Sequence, residues 1–255
     1  MDHLTPPVEL IAQNNVGIHD KENILAEYRK IGTYLFTVLK NRAGVRPDSD
    51  ILDMGCGLGR VAAPFTTYLT SGSYTGVDVV KSSIDWCAER YSGLPNFRFI
   101  HADLYSEFYN PKATVSAENY RFPFEDGSFD VVWSSSLFTH MLFDAVDNYL
   151  GEMSRVLKPG GRIWNSYLLL DEISEPLVHG RPRSDGRRME HEVKGGRVGW
   201  KDKPEWVVGL RLDGINELHR KHGLEIVETQ LSNWSGGRED VPYKGQDVII
   251  ARKAS

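Results

Sequence analysis

Apolar residues change their spacing several times along the chain, and each change marks an element. Between residues 20 and 43, Ile24, Leu25, Tyr28, Ile31, Leu35, Val38 and Leu39 keep helical spacing, interrupted by Gly32. This predicts an amphipathic helix or helix pair. The apolar run Ile51-Leu52-Asp53-Met54 reads as a buried strand, followed by the glycine-crowded Gly55-Cys56-Gly57-Leu58-Gly59-Arg60 and a helix reaching Leu69. Proline is tolerated only in a first helical turn, so Pro64 makes that helix start late or kink. Further strands are predicted at 74–79, 97–103, 129–134 and 162–167. Ser82-Ser83-Ile84-Asp85 offers a Ser-x-x-Asp cap to a helix burying Ile84, Cys87, Ala88 and Tyr91. Asp144 caps another, with Ala145, Val146, Tyr149, Leu150, Met153, Val156 and Leu157 on one face and Lys158-Pro159-Gly160-Gly161 at its end. A helix at 213–222 with Gly223 as its C′ residue, then strands at 224–231 and 246–252, close the chain.

Strands alternating with helices predict an α/β fold around a mostly parallel sheet. The chain is read as one domain in four parts. Residues 1–45 are a polar, proline-containing tail and a helical lid. Residues 46–167 form the core, 168–209 an insertion rich in Arg, Gly and Trp, and 210–255 a terminal helix and strand pair. The connection at 104–128 is long and irregular, yet aromatic, which argues for a functional rim rather than disorder.

With 255 residues, 40% hydrophobic and 25% charged, the chain suits one well-buried globular core. A net charge of −5 argues against a nucleic-acid partner. Cys56 and Cys87 form no disulfide framework, and neither an apolar run of membrane length nor a signal pattern is present, so a cytoplasmic protein is expected. The oligomeric state is left open, a homodimer included.

The acidic residue precedes the glycines, as Asp53-x-Gly55-x-Gly57-x-Gly59. A dinucleotide-binding turn needs its third glycine where this chain has Arg60, so that pattern fails. Acids close the next two strands at Asp78 and Asp103, and Ser134-Ser135-Ser136 closes the fourth. In open α/β sheets, strand ends of this kind surround a ligand crevice. This ordered set resembles the class I S-adenosylmethionine-dependent methyltransferases. The resemblance implies a Rossmann-like seven-stranded sheet with an antiparallel C-terminal strand, helices on both faces, and S-adenosyl-L-methionine (SAM) as cofactor, leaving S-adenosyl-L-homocysteine (SAH). It further implies that Asp53, Gly55, Cys56, Gly57, Gly59 and Arg60 line the methionine half. Asp78 would then bind the ribose, Asp103 the adenine amino group, and Val79 and Leu104 the adenine faces, with Ser134 and Ser135 nearby. Tyr109-Asn110-Pro111, Arg121-Phe122-Pro123-Phe124, Ser136-Leu137-Phe138-Thr139-His140 and Trp234-Ser235-Gly236-Gly237…Gly245-Gln246-Asp247-Val248 resemble a bacterial subgroup acting on glycans or other small molecules.

Transfer to an alkyl hydroxyl benefits from a general base, and His140, just past the fourth strand, is the candidate. Its structural alternative is a histidine fixing the loop. Tyr109, Tyr167, Trp200 and Trp234, with His140, are candidate acceptor contacts, because aromatics offer flat amphipathic area for sugar faces or rings. Trp206 and Tyr243 join the same group, and Arg181, Arg183, Arg187 and Arg188 suit an acidic group on the acceptor. His179, Glu190, His191 and Glu192 carry the alternative of Mg²⁺, although a charged surface loop explains them better. The expected acceptor is a small-molecule hydroxyl, with a saccharide, glycoside or glycolipid head group favoured. The alternatives are N- or C-methylation of another metabolite, or a non-catalytic SAM-binding partner subunit.

Overall fold

The computed structural model describes residues 2–14, 23–181, 188–239, 241 and 245–254. The chain divides into two compact units, residues 1–103 with 129–133, and residues 104–128 with 134–255.

In the first unit, α1 (Val8–Asn14) lies within the stretch expected to be a loose tail. α2 (Ile24–Arg42) is one continuous helix that runs through Gly32. Its buried positions Ile24, Tyr28, Gly32, Leu35 and Leu39 fall every three or four residues. β1 (Ile51–Met54) is buried along its whole length. α3 (Ala62–Phe65) is a single turn that starts late, placing Pro64 where its missing N–H costs nothing. β2 (Tyr74–Asp78), α4 (Lys81–Arg90), β3 (Phe97–His101) and β4 (Phe129–Ser134) complete the half-sheet. β1 pairs in parallel with β2 and with β4, and β2 with β3. Rings of Phe65, Tyr74, Tyr91, Phe97 and Phe99 stack or tilt against one another at 4.8–5.9 Å over this sheet.

Two helix starts differ from expectation. The residue preceding α4 is Val80, so Ser82 and Ser83 lie inside the helix; Ser83 is buried, and Asp85 pairs with Lys81 at 2.6 Å. Ala88 is exposed rather than buried, because Cys87 and Ile84 already fill the inward face.

In the second unit, α5 (Phe143–Val156) is preceded by Leu142, and Asp144 is a first-turn residue paired with Lys194 at 2.5 Å. β5 (Leu157–Tyr167) begins five residues earlier than expected and runs through Lys158-Pro159-Gly160-Gly161. The insertion, whose sequence shows no reliable period, holds β6 (Leu169–Leu170), α6 (Ser174–Val178), β7 (His191–Val193), β8 (Gly196–Val198) and β9 (Val208–Arg211), and these four strands form a second sheet in the order β6-β9-β8-β7. α7 (Leu212–Lys221) ends at Gly223, whose φ of 67° suits only glycine cheaply. β10 (Leu224–Gln230) pairs antiparallel with β11 (Asp247–Lys253), which pairs antiparallel with β5.

The main sheet has seven strands in the order β10-β11-β5-β4-β1-β2-β3. It is the mostly parallel, Rossmann-like sheet with one antiparallel strand that the strand pattern and the resemblance together implied.

Candidate functional site

The glycine turn after β1 is left-handed at Gly55, Gly57 and Gly59, with φ of 85°, 51° and 69°. A side chain is disfavoured at each, which is why glycine alternates there. The amides of Gly55 and Cys56 donate to Val77 O at 2.8 and 3.1 Å, that of Gly57 to the Asp78 carboxylate at 2.7 Å, and that of Gly59 to Cys56 O at 3.0 Å. The turn's carbonyls are held too: Tyr28 donates to Leu58 O at 3.0 Å, Tyr91 to Gly59 O at 3.4 Å and Cys87 to Gly57 O at 3.6 Å. A Cβ placed on Gly57 would meet nothing within 4 Å, so open space faces this position.

Beneath the turn lies buried acid. Asp53 is 2% exposed and accepts a hydrogen bond from the Tyr74 hydroxyl. Burial pushes its carboxyl up to about 8, against the Tyr74 bond and with help from the charge of Asp78. Asp78 accepts from both Gly57 N and Val80 N, and burial raises its pKa while those bonds oppose the rise. The Arg60 guanidinium lies 5.9 Å from the Tyr28 ring centre, and burial lowers its pKa. Cys56 contributes backbone only, since its sulfur is packed where a Cβ on Gly76 would sit, 2.7 Å away. Val79 is half-buried, its carbonyl 3.2 Å from His101 Nε2, and Asp103 is exposed.

This arrangement can be tested against the ligand that the resemblance implies. Four turn amides are already spent inside the protein, so little remains to cradle a pyrophosphate. The buried Asp53 and the half-buried Asp78 supply negative charge when ionised, and that favours a cation instead. A sulfonium fits this donor set, and Asp78 keeps lone pairs for ribose hydroxyls.

The second unit carries the remaining candidates. His140 ends a short 3₁₀ turn (Phe138–His140), and its Nδ1 lies 3.0 Å from Glu205 O. A carbonyl can only accept, so Nδ1 carries the hydrogen and Nε2 is left as the basic nitrogen. Burial lowers its pKa, keeping the ring neutral. Phe108 stacks against the His140 ring at 6.3 Å, and Tyr109 meets it edge-on at 6.1 Å. Phe108 also meets Trp206 at 5.7 Å, Trp206 meets Trp200 at 5.7 Å, and Lys203 sits 4.2 Å above Trp206. The segments are tied by exchange: Glu107 N donates to Glu205 Oε2 at 3.0 Å and Glu205 N to Glu107 Oε2 at 3.2 Å. Phe108, Tyr109 and Trp200 stay more than a third exposed.

Other expected site residues turn inward. Trp234 is 7% exposed, packs with Leu170, Val178 and Met189, and donates its indole N–H to Asp247 at 2.6 Å. It is a core residue, corrected from an acceptor contact. Tyr167 is fully buried beside Phe138, and the Ser134 hydroxyl is spent on Asn165 at 2.8 Å, so neither side chain presents itself to a ligand. Ser135 is half-buried, and Leu104 is buried and bridged to Val115. The Arg121–Phe124 segment is anchored by Arg155, which donates to Phe122 O and Phe124 O at 3.0 and 2.8 Å. Arg181 binds the carbonyls of Leu177 and Ser235, and Arg188 pairs with Glu190. Glu192 pairs with Arg197 and Arg211. Arg183, Arg187 and Tyr243 lie outside the described residues. Glu107, Phe108 and Glu205 were not singled out as site residues; only the aromatic cluster spacing at 105–109 hinted at Phe108.

Residues 52–165 match the methyltransferase domain family. Over those residues the chain carries a class I, SAM-dependent methyltransferase domain. It is 34% identical over 197 residues to a phthiotriol/phenolphthiotriol dimycocerosates methyltransferase of Mycobacterium leprae, covering 74% of this chain and 65% of the relative. It is 28% identical over 218 residues to methyltransferase GfsG of Streptomyces halstedii, covering 83% and 66%. The chain thus spans less than two thirds of each relative's length. Among solved structures, a Burkholderia thailandensis 1,6-didemethyltoxoflavin N1-methyltransferase with bound SAH shares the fold, with a TM-score of 0.56, 18% identity, and coverage of 97% of this chain and 88% of that one.

Proposed function

We propose that this methyltransferase transfers the methyl group of SAM to a hydroxyl of an oxygen-rich small molecule, with a saccharide or glycoside favoured. The observation that carries the hydroxyl assignment is His140: a neutral imidazole, its Nδ1–H fixed to Glu205 O, among exposed aromatic rings. A relative named for a triol-derived substrate points the same way. SAM, when bound, supplies an electrophilic methyl on a sulfonium with a neutral leaving group.

The chain's own residues supply the rest. Gly57 leaves room for the ligand's methionine half against the turn, over the acidic floor of Asp53, while the left-handed Gly55 and Gly59 shape the bend. Asp78 takes the ribose hydroxyls and Asp103 the adenine amino group. His140 Nε2 removes the acceptor's proton as the oxygen attacks, worth about 10²–10⁴ in rate. Phe108, Tyr109 and Trp200 offer flat faces to a sugar ring or a hydrocarbon scaffold.

The test pairs binding with turnover. SAH at 100 times its dissociation constant adds about 2.7 kcal/mol of stability, visible as a melting shift. Radiolabelled SAM is then offered with pyranosides, long-chain polyols, phenols and amines. Methylated pyranoside or polyol is expected, and His140→Ala is expected to lose about 100-fold or more in turnover with SAH affinity unchanged. Label found only on amines, or an unimpaired alanine variant, rules out base-assisted hydroxyl methylation.

A further inference from the structure

The acceptor assignment above leaves the tail segment Gly245-Gln246-Asp247-Val248 unused. Asp247 is structural: its carboxylate is buried and takes Leu169 N, Ser232 N and Trp234 Nε1 at 2.6–2.8 Å. That clamp fixes the start of β11 and, with it, the residue before. Gln246 is half-buried. Its Oε1 takes the Ser166 hydroxyl at 2.6 Å and the Ser136 hydroxyl at 3.1 Å. Ser166 in turn accepts Ser136 N at 2.8 Å.

Donors and acceptors in this set follow one another in order. Ser166 accepts Ser136 N and donates its hydroxyl hydrogen to Gln246 Oε1, which also takes the Ser136 hydroxyl. The carboxamide stands with Oε1 toward the serines. Both Nε2 hydrogens are left without a partner among the described residues.

Ser136 adds an independent sign. Its φ is 60°, the one positive value at a residue other than glycine among those described. Such backbone is strained and persists where its surroundings over-determine it, often beside a ligand. Ser136 is over-determined here by Ser166, by Gln246 and by Thr139, whose hydroxyl donates to Ser136 O at 3.1 Å. Four residues on, at the end of the 3₁₀ turn that follows, stands His140.

We propose that Gln246 is a specificity-determining residue: held through Oε1 by Ser136 and Ser166, it donates Nε2–H to an oxygen of the acceptor. This rests on the hydroxyl-acceptor reading and refines it, for the ligand must carry a second, hydrogen-bond-accepting oxygen beside the one that is methylated. A polyol or pyranoside meets that demand; a simple phenol or a monohydric alcohol does not.

Gln246→Glu separates this role from a merely structural one. A carboxylate still accepts both serine hydroxyls, so the turn keeps its supports, but the donor is replaced by an acceptor. Dissociation constants for methyl glucoside, glycerol and phenol are measured by NMR titration with SAH present, beside melting temperature and SAH affinity. The expected result is wild-type melting and SAH binding, glucoside or glycerol binding weakened about tenfold or more, and unchanged phenol binding. Gln246→Leu, which removes the serine bonds as well, is expected to lower the melting temperature. Equal glucoside and glycerol affinity in wild type and Gln246→Glu overturns the role of Gln246 alone. If neither ligand binds the wild type, the hydroxyl-acceptor reading falls with it, while retained SAH binding leaves the cofactor assignment standing.

Discussion

Two histidines show how neighbours set the meaning of one residue type. His140 and His219 both lie with Nδ1 against a backbone carbonyl, at 3.0 Å from Glu205 O and 2.8 Å from Ile215 O. Both therefore hold the same tautomer. His140 is half-buried at the end of a short 3₁₀ turn, so its Nε2 is a usable base. His219 is fully buried on α7, its Nε2 without a hydrogen-bond partner, and burial lowers its pKa to about 4. Above pH 6.5 His219 is neutral whether folded or unfolded and contributes nothing to pH dependence. As pH falls below 6.5, only the unfolded chain takes up the proton, so stability drops until about pH 4. Its depth is about 3 kcal/mol over that window, and about 2 kcal/mol by pH 5. Urea unfolding at pH 7 and pH 5 checks this: His219→Met is expected to lose about 2 kcal/mol less on acidification than wild type. Equal acid losses would show that α7 admits the proton without strain.

At the scale of elements, α2 meets the glycine turn where both have given up side chains. A Cβ on Gly32 would stand 2.5 Å from Arg60 O. Alanine gains about 1 kcal/mol in helix propensity over glycine. Overpacking against backbone costs about 1–3 kcal/mol, and Arg60 O cannot swing aside as a side chain would. Overpacking therefore wins, and Gly32→Ala is expected to lower both melting temperature and SAH affinity, since Tyr28 on the same helix holds Leu58 O. A variant melting higher than wild type would show that the helix rides free of the turn. Gly32 was legible in the sequence as an interruption, though not as the contact point. The same divide runs through the fold. Strands of four to six residues that are buried throughout, as β1 is, or at all but one position, as β4 is, announce themselves by apolar runs. Strands of two and three residues in the insertion do not, because too few positions exist for a period to show. Val80 before α4 and Leu142 before α5 defeated readings based on caps, since neither helix start uses a side-chain cap. In the candidate site, the order of acids and glycines was readable because it is local. The pairing of His140 with Glu205 was not, because it joins residues 65 apart. Trp234 misled for the complementary reason: a tryptophan in a glycine-rich tail looks exposed until Asp247 satisfies its indole.

For the whole molecule, cofactor affinity is tied to the proton balance of the solution. Asp53 is buried under the turn, bonded to Tyr74, near the negative Asp78 and the positive Arg60. Desolvation prevails among these influences and raises its pKa to about 8, so the carboxyl is mostly protonated at pH 7 in the ligand-free protein. A fixed positive charge above it favours the carboxylate. Binding of SAM at pH 7 is therefore expected to expel part of a proton, and affinity to rise with pH, by less than tenfold per pH step, until it levels above about 8. SAH carries the same titrating amine but lacks the sulfonium charge, so its affinity rises less steeply, and the difference between the two ligands isolates the contribution of Asp53. Isothermal titration at pH 7 in buffers of different ionisation enthalpy counts the protons, and Asp53→Asn is expected to abolish the excess released by SAM. If SAM and SAH release equal amounts in wild type, Asp53 does not sense the sulfonium, and the acidic floor beneath the glycine turn serves packing rather than cofactor choice.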